Sequence, residues 1–439
     1  MKNVLHFFKR VLPLLILLAM ALAAGKSLKA SHLVGSDITY NCLGSTPGQY
    51  QLTMKWYRDC GGIPLCGCPP GPLNTNCSVN LSITGAQAPC LGTNFGNTSI
   101  QAVAAGSGFD IIQLCAAAKS ICTNCGTRTP GSFTPGIEIY TFTGIVNLSG
   151  VPPNCCLVNI GFNDCCRNAA ITTLVNPSSL SYYSGCTINK CITPCNSAPT
   201  FTNDPVAVTC VGQDFTYNLG AIDPDGDSLS YAYGPVMTGP NSPAPYQSPY
   251  SPTVPFPYLG APMTSPPALP PLGIFIDPVT GDVRFRPTMI FTSNIVIEVT
   301  QWKTINGVPT IVGKTTRDIQ FYAKLCDENN PPVLRTYNND GTLTSPQPNY
   351  SYAICAGQQL CVIISAWDNT AGWDTTDITW NAPANLTANG ATFQPLYNVS
   401  QRKVLGPRLD SFRFCWTPPA SMANNLPYWV VALYAIPLP

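Results

Sequence analysis

Residues 208–231 read VTCVGQDFTYNLGAIDPDGDSLSY. VTC and FTY alternate apolar and polar positions in β-branched and aromatic residues, the pattern of strands with one buried face. VGQD and DPDGD have the composition of tight turns. The stretch returns with drift at 353–380 as AICAGQQLCVIISAWDNTAGWDTTDITW, and DVRFRPT at 282–288 returns as SFRFCWTPP at 411–419. Two copies of a short-strand, turn-rich pattern predict an all-β protein with two β-sandwiches of immunoglobulin-like or cadherin-like architecture, at 196–326 and 327–439. A proline- and tyrosine-rich insert, 234–273, interrupts the first. The second closes on YWVVALYAI, one strand fewer than the first, and is expected to lack its last strand.

Towards the N-terminus, SDITYNCL (36–43) and QYQLTMKWYRDC (49–60) alternate around GSTPG and predict a β-hairpin. IEIYTFTGIVNL (137–148) and CLVNIGFNDCC (156–166) add strands to a cysteine-rich β module at 31–195. Residues 1–30 carry a basic head and a short apolar run, which is a signal peptide and too short for a membrane span. Behind it the balance is 17 basic to 21 acidic residues, with no basic patch that would suit nucleic acid. Charged residues are only 10% of the chain, and its 44 prolines and 35 glycines disfavour long helices.

Twenty-one cysteines in an exported chain imply disulfides. A bond from Cys210 to Cys326 would span the first sandwich and one from Cys361 to Cys415 would lie inside the second, leaving Cys355 without a partner. Cys122 and Cys125 form a CxxC, read as structural because the compartment is oxidising. The vicinal pairs Cys155-Cys156 and Cys165-Cys166 are expected to staple neighbouring strands, since disulfide geometry needs separated Cα atoms. The remaining connectivity is open.

The series ASHLVGSDITYNCLG, YQLTMKWYRDCGG, GFNDCCRNAAITTLVNP, APTFTNDPVAVTCVGQDFTYNLGAIDPDGDSLSY and GIFIDPVTGDVRFRPT resembles the N-terminal region of large secreted surface proteins of Bacteroidota. Many of those end in a gliding-motility-associated or type IX secretion sorting domain, which has no counterpart in this sequence. The resemblance covers nearly all of the chain behind the leader. It implies export to the cell surface and a role in adhesion or surface structure.

Asp223, Asp225 and Asp227 alternate around Gly226, so their carboxylates converge either on a calcium ion or on the backbone of a turn. The spacing excludes an EF-hand. A calcium site would instead be a cadherin-like loop, with Asp204 or Asp277 as further oxygen donors. Tyr246, Tyr250, Phe256 and Tyr258 in the insert offer a stacking surface for a glycan or peptide, or else pack onto their own sandwich. Trp56, Trp302 and Trp380 lie on strand patterns and are expected in the core. His32 is the one histidine behind the leader, at a chain end, and no nucleophile–base pattern accompanies it.

These observations predict a non-enzymatic, secreted adhesion or extracellular structural protein whose partner is a surface glycan or protein. The alternative is a secreted carbohydrate-active enzyme or its glycan-targeting module, with Asp223 and Asp277 as a carboxylate pair. An unfinished last sandwich would also accept a strand donated by another chain.

Overall fold

The computed structural model describes residues 33–438 apart from 45–47, 63–64, 66–76, 105–106, 112–121, 123–135, 194, 206–207, 262–269, 327–332, 345–351, 353, 368–374, 382–383, 397–408 and 421–431. The leader, His32, Cys125 and part of the insert lie outside the described residues, as does the side chain of Trp380.

The molecule is all-β. The N-terminal strands are β1 (Leu33–Cys42), β2 (Gln49–Asp59), β3 (Ser78–Gly85), β4 (Asn94–Val103), β5 (Phe109–Asp110), β6 (Ile137–Asn147), β7 (Leu157–Cys165) and β8 (Ser181–Asn189). Next come β9 (Thr200–Phe201), β10 (Val208–Cys210), β11 (Phe215–Tyr217), β12 (Ala221–Ile222), β13 (Ser228–Gly234), β14 (Met237–Gly239) and β15 (Ser242–Pro243). The second unit continues with β16 (Phe275–Ile276), β17 (Val283–Phe285), β18 (Phe291–Ile305) and β19 (Val308–Lys324). The C-terminal unit has β20 (Val333–Asn338), β21 (Leu360–Trp367), β22 (Thr375–Asn381), a short helix α1 (Ala384–Ala388), β23 (Thr392–Pro395), β24 (Leu409–Trp416) and β25 (Ala432–Leu438).

In the N-terminal unit the strands run β1-β2-β6-β4-β3-β7-β8. Alternate side chains point inward, as period-2 strands require. Leu52, Met54 and Trp56 from β2, Leu81 and Ile83 from β3, Phe142 from β6, Ile160 and Phe162 from β7 and Ile188 from β8 form one buried cluster. The two edges of this rolled sheet do not pair with each other. Both meet β19: β8 pairs with Gly313–Thr315 through Ile188, Thr187 and Cys186, and β1 pairs with Arg317–Ile319 through Asp37, Ser36 and Gly35. Further along, β10 joins β19 in parallel, from Val208↔Tyr322 to Cys210↔Lys324. The other side of β19 pairs along its whole length with β18 in a long hairpin turning at Asn306-Gly307.

The sequence division at 195 and 196 therefore falls inside a continuous 14-stranded sheet. Local patterning marks β1, β2, β6 and β7 but not β3 and β4, which lie in the cysteine-dense, turn-rich stretch, and it does not report that one strand of the second unit closes the first. Over the other face of β18 and β19 lie the small sheets β11-β17-β16 and β12-β9, giving a sandwich. Its core stacks Phe215 on Phe285 (4.6 Å) and Phe256 on Phe291 (4.4 Å). The C-terminal unit has a four-stranded sheet, β20-β21-β24-β23, and the pair β22-β25, around Val362, Ile364, Ala366, Ile378 and Phe412.

Seven disulfides join described cysteines: Cys42–Cys195, Cys60–Cys122, Cys90–Cys155, Cys156–Cys191, Cys165–Cys166, Cys210–Cys326 and Cys361–Cys415. Cys155 and Cys156 bond to different, distant partners. Cys165 and Cys166 bond to each other across a cis peptide, contrary to the expectation of inter-strand stapling. The register explains why a staple is absent there: Cys165 faces Ser181 on β8, which offers no thiol. Cys355 is a free, exposed thiol and Cys186 a free, buried one.

Where β1 meets β19, Asp37 stands opposite Arg317, and both are buried. Arg317 donates to Asp37 Oδ2 from Nε (2.9 Å) and to Asn203 O (2.6 Å) and Tyr217 Oη (2.9 Å) from Nη1. Tyr57 also donates to Asp37 Oδ2 (2.8 Å), and the guanidinium sits 4.2 Å from the Phe201 ring centroid. Burial works against the charge on Arg317, but the surrounding oxygens of Tyr57, Asp37 and Tyr217 outweigh it and hold the group above its ordinary pKa. On the opposite face the next residue, Asp318, accepts from Arg167 (2.7 Å) and Asn294 (2.9 Å). Gly35 is a third requirement, because a Cβ there would lie 2.2 Å from Asp318 O.

Replacing Arg317 with Met leaves the Asp37 carboxylate buried without its counter-charge, with Tyr57 still donating to it, and should lower unfolding free energy by about 3 kcal/mol. Gly35→Val should separate β1 from β19. Denaturant unfolding followed by tryptophan fluorescence measures both losses; an unchanged midpoint for Arg317→Met would contradict this role of the pair.

Candidate functional site

The acidic turn Asp223-Pro-Asp-Gly-Asp227 lies between β12 and β13, and Gly226 takes a positive φ of 78° that an L side chain rarely adopts. The Asp223 carboxylate folds back on this turn. Its Oδ1 accepts from the N–H groups of Asp225 (2.9 Å) and Asp227 (3.1 Å), and its Oδ2 from Gln301 Nε2 (2.6 Å). Asp225 Oδ2 accepts from Ser197 N at 2.5 Å. Asp227 Oδ1 pairs with the Lys303 ammonium at 3.1 Å, while its Oδ2 is buried with no partner.

The turn is thereby bound to the linker after Cys195 and to β18. Gln301 also donates to Ser197 O (2.6 Å) and accepts from Tyr40 Oη of β1 (3.1 Å). Ser197 Oγ donates to Asn41 Oδ1 (3.0 Å) and accepts from Cys42 N (3.2 Å), and Ala198 N donates to Tyr40 O (2.7 Å). Lys303 Nζ donates to Asn196 Oδ1 at 3.0 Å. Residues from the first unit, the linker and the second unit converge on this spot.

The three carboxylates lie within 4.8 Å of one another, near enough to share an ion. Their donors bear on the fit. Asp223 has both oxygens engaged by the protein, and Asp225 and Asp227 have one each, whereas calcium takes six to eight oxygens. The positive charge that relieves their mutual repulsion here is the Lys303 ammonium. Asp204 is turned towards Lys55 (3.6 Å), and Asp277 caps its own turn by accepting from Val279 N and Thr280 N (2.8 and 2.9 Å).

The aromatics of the insert are not an open platform. Phe256 is fully buried between Phe285 and Phe291. Tyr246 packs with Ile171, Leu174 and Val236, and its hydroxyl accepts from Val236 N (3.0 Å). Tyr258 packs against the second core, and Tyr250 is half-buried. Of the two arrangements open to the insert, Tyr246, Phe256 and Tyr258 adopt packing onto the protein's own cores. Trp56 is in the core, and Trp302 is half-buried with Nε1 donating to Ser230 Oγ at 2.8 Å.

Sequence reasoning found the three aspartates but missed Gln301, Lys303, Asn196 and Ser197, which complete the cluster from distant positions. The available signal was weak: a Gln and a Lys inside the apolar run NIVIEVTQWKT, each at a strand position facing inward or along the rim.

No protein-family model matches the chain, and no curated protein is similar to it. Among solved structures, the I-band fragment I67-I69 from titin aligns over 92% of this chain and 99% of its own at 6% identity and a TM-score of 0.16.

Burial pushes the Asp223 carboxyl up from 3.8 to about 6, against the hydrogen bonds it accepts. A raised folded pKa favours the protonated form in the native state, so this contribution is full below the unfolded value and is gone once pH has risen through about 6. Stability should therefore increase as pH falls from 7.5 to 5, by about 1 kcal/mol from this group. Melting temperatures across that range measure it, and Asp223→Asn should flatten the slope. A wild-type slope of opposite sign would refute the assignment.

Proposed function

We propose that the protein is a secreted adhesion or extracellular structural protein of the cell surface that binds through its β units without turning over a substrate. The observation that carries this reading is the disulfide-stapled, charge-locked β frame, in which the distinctive polar clusters join one unit to the next. Asp37, Arg317, Asp318 and Arg167 are buried between strands, and Asp223 and Asp277 each hold a turn. Such a frame suits a molecule that must keep its shape outside the cell, where disulfides persist. The resemblance to the secreted Bacteroidota surface proteins points the same way. Among the described residues no helix is long and apolar enough to cross a membrane, which leaves β-strand insertion unaddressed.

The partner class proposed is a surface glycan or protein, engaged by several weak contacts whose combination over linked units raises the apparent affinity. The competing assignment to a carbohydrate-active enzyme would need a carboxylate pair free to meet a glycosidic bond, and Asp223 and Asp277 are both occupied by backbone N–H groups.

A glycan array probed with the purified, oxidised protein should give binding with no release of reducing sugar from the bound glycans. Prior reduction of the disulfides should abolish that binding. Hydrolysis that disappears with Asp223→Asn would replace this reading with the enzymatic one.

A further inference from the structure

Lys303, Asn196 and Asp227 meet where the linker crosses β18. Lys303 Nζ lies 3.0 Å from Asn196 Oδ1 and 3.1 Å from Asp227 Oδ1. The reactive carbon of the Asn196 amide is one bond beyond that oxygen. Asn196 is wholly buried, and its Nδ2 donates to Ser197 O at 3.2 Å, which fixes the plane of the amide. Asp227 is buried too, and its second oxygen has no partner. The half-buried lysine thus brings its amine from the rim to a buried carboxamide and a buried carboxylate with a vacant acceptor.

We propose that Lys303 and Asn196 form an intramolecular isopeptide bond, with Asp227 as the proton carrier. Asp227 takes a proton from the Lys303 ammonium, freeing the Nζ lone pair to attack Asn196 Cγ. The new Nζ–Cγ bond forms as the Cγ–Nδ2 bond breaks. Asp227 relays a proton from the attacking nitrogen to the departing one, which leaves as ammonia and carries off the lysine's original proton as ammonium. The carboxylate is restored, and neither oxidant nor further reactant is consumed. Burial raises the Asp227 carboxyl above its ordinary pKa, in the direction that helps it hold the transferred proton. Lys303 touches both the carboxamide and the carboxylate, and holding the groups together in this way raises their effective concentration. The product ties the linker following the Cys42–Cys195 bridge covalently to β18. The bond forms whatever ligand the surface binds.

The test is the intact mass of the purified chain, with disulfides reduced, read at harvest and after prolonged incubation at neutral pH. The expected result is a deficit of one ammonia and a tryptic map in which the Lys303 peptide is joined to the Asn196 peptide. Lys303→Arg and Asp227→Asn should each keep the full mass. A full mass in the wild-type protein after incubation would overturn the proposal. So would a deficit with no joined peptide, which would indicate cyclisation of an asparagine on its own backbone. The wild-type mass and map decide alone, so a variant that fails to fold changes nothing.

Discussion

The pairing of Arg317 with Asp37 holds a junction that everything else in the first two units leans on. A guanidinium buried in a β-sheet is unfavourable unless every donor finds an acceptor and a counter-charge is at hand. Arg317 meets these terms through the Asp37 carboxylate, two tyrosine hydroxyls and a backbone carbonyl. Asp318, the next residue, makes the matching arrangement on the opposite face with Arg167 and Asn294. Strand alternation converts the dipeptide Arg317-Asp318 into two polar anchors, one on each side of β19. Both bind distant parts of the chain to one register, and a slip by one residue would bury each charge without its partner.

That constraint accounts for the form of the acidic turn. Once β1 and β19 are in register, the linker between the units must pass close to β18, and the DPDGD turn meets it there. Asp225 takes the linker's Ser197 N–H, Gln301 takes its carbonyl, and Lys303 balances the carboxylates. Burying carboxylates in this way leaves the turn sensitive to proton concentration while making it a joint. The C-terminal unit has none of these ties to the others in the described strand pairings and keeps its own pair of sheets and its own disulfide.

Much of the secondary structure was legible from local pattern. QYQLTMKWYRD reads as a strand, and its alternating set, Tyr50, Leu52, Met54 and Trp56, lies in the first core, while Tyr57 and Arg58 are buried as well. The drifting repeat led to a sandwich class for the later units. What could not be read is pairing across long separations. Nothing near Gly35 announces that its neighbour will be Ile319, because the hydrogen-bonding edge of a strand carries no side-chain signature. The insert left two readings open for a related reason: proline and polar residues surround Phe256, and only the distant Phe285 and Phe291, which offer it a stack, show that the ring turns inward. At the acidic turn the aspartates were visible as a cluster, but their partners lie on β18 and in the linker, so the choice between ion and turn rested on residues outside the motif.

The position of β19 in the chain also sets a timetable. As the polypeptide lengthens, the strands from Leu33 to Asn189 are all available before Val308–Lys324 exists. Until that strand is in place, the rolled sheet keeps a seam with both lips unzipped, and the N-terminal half cannot close by itself.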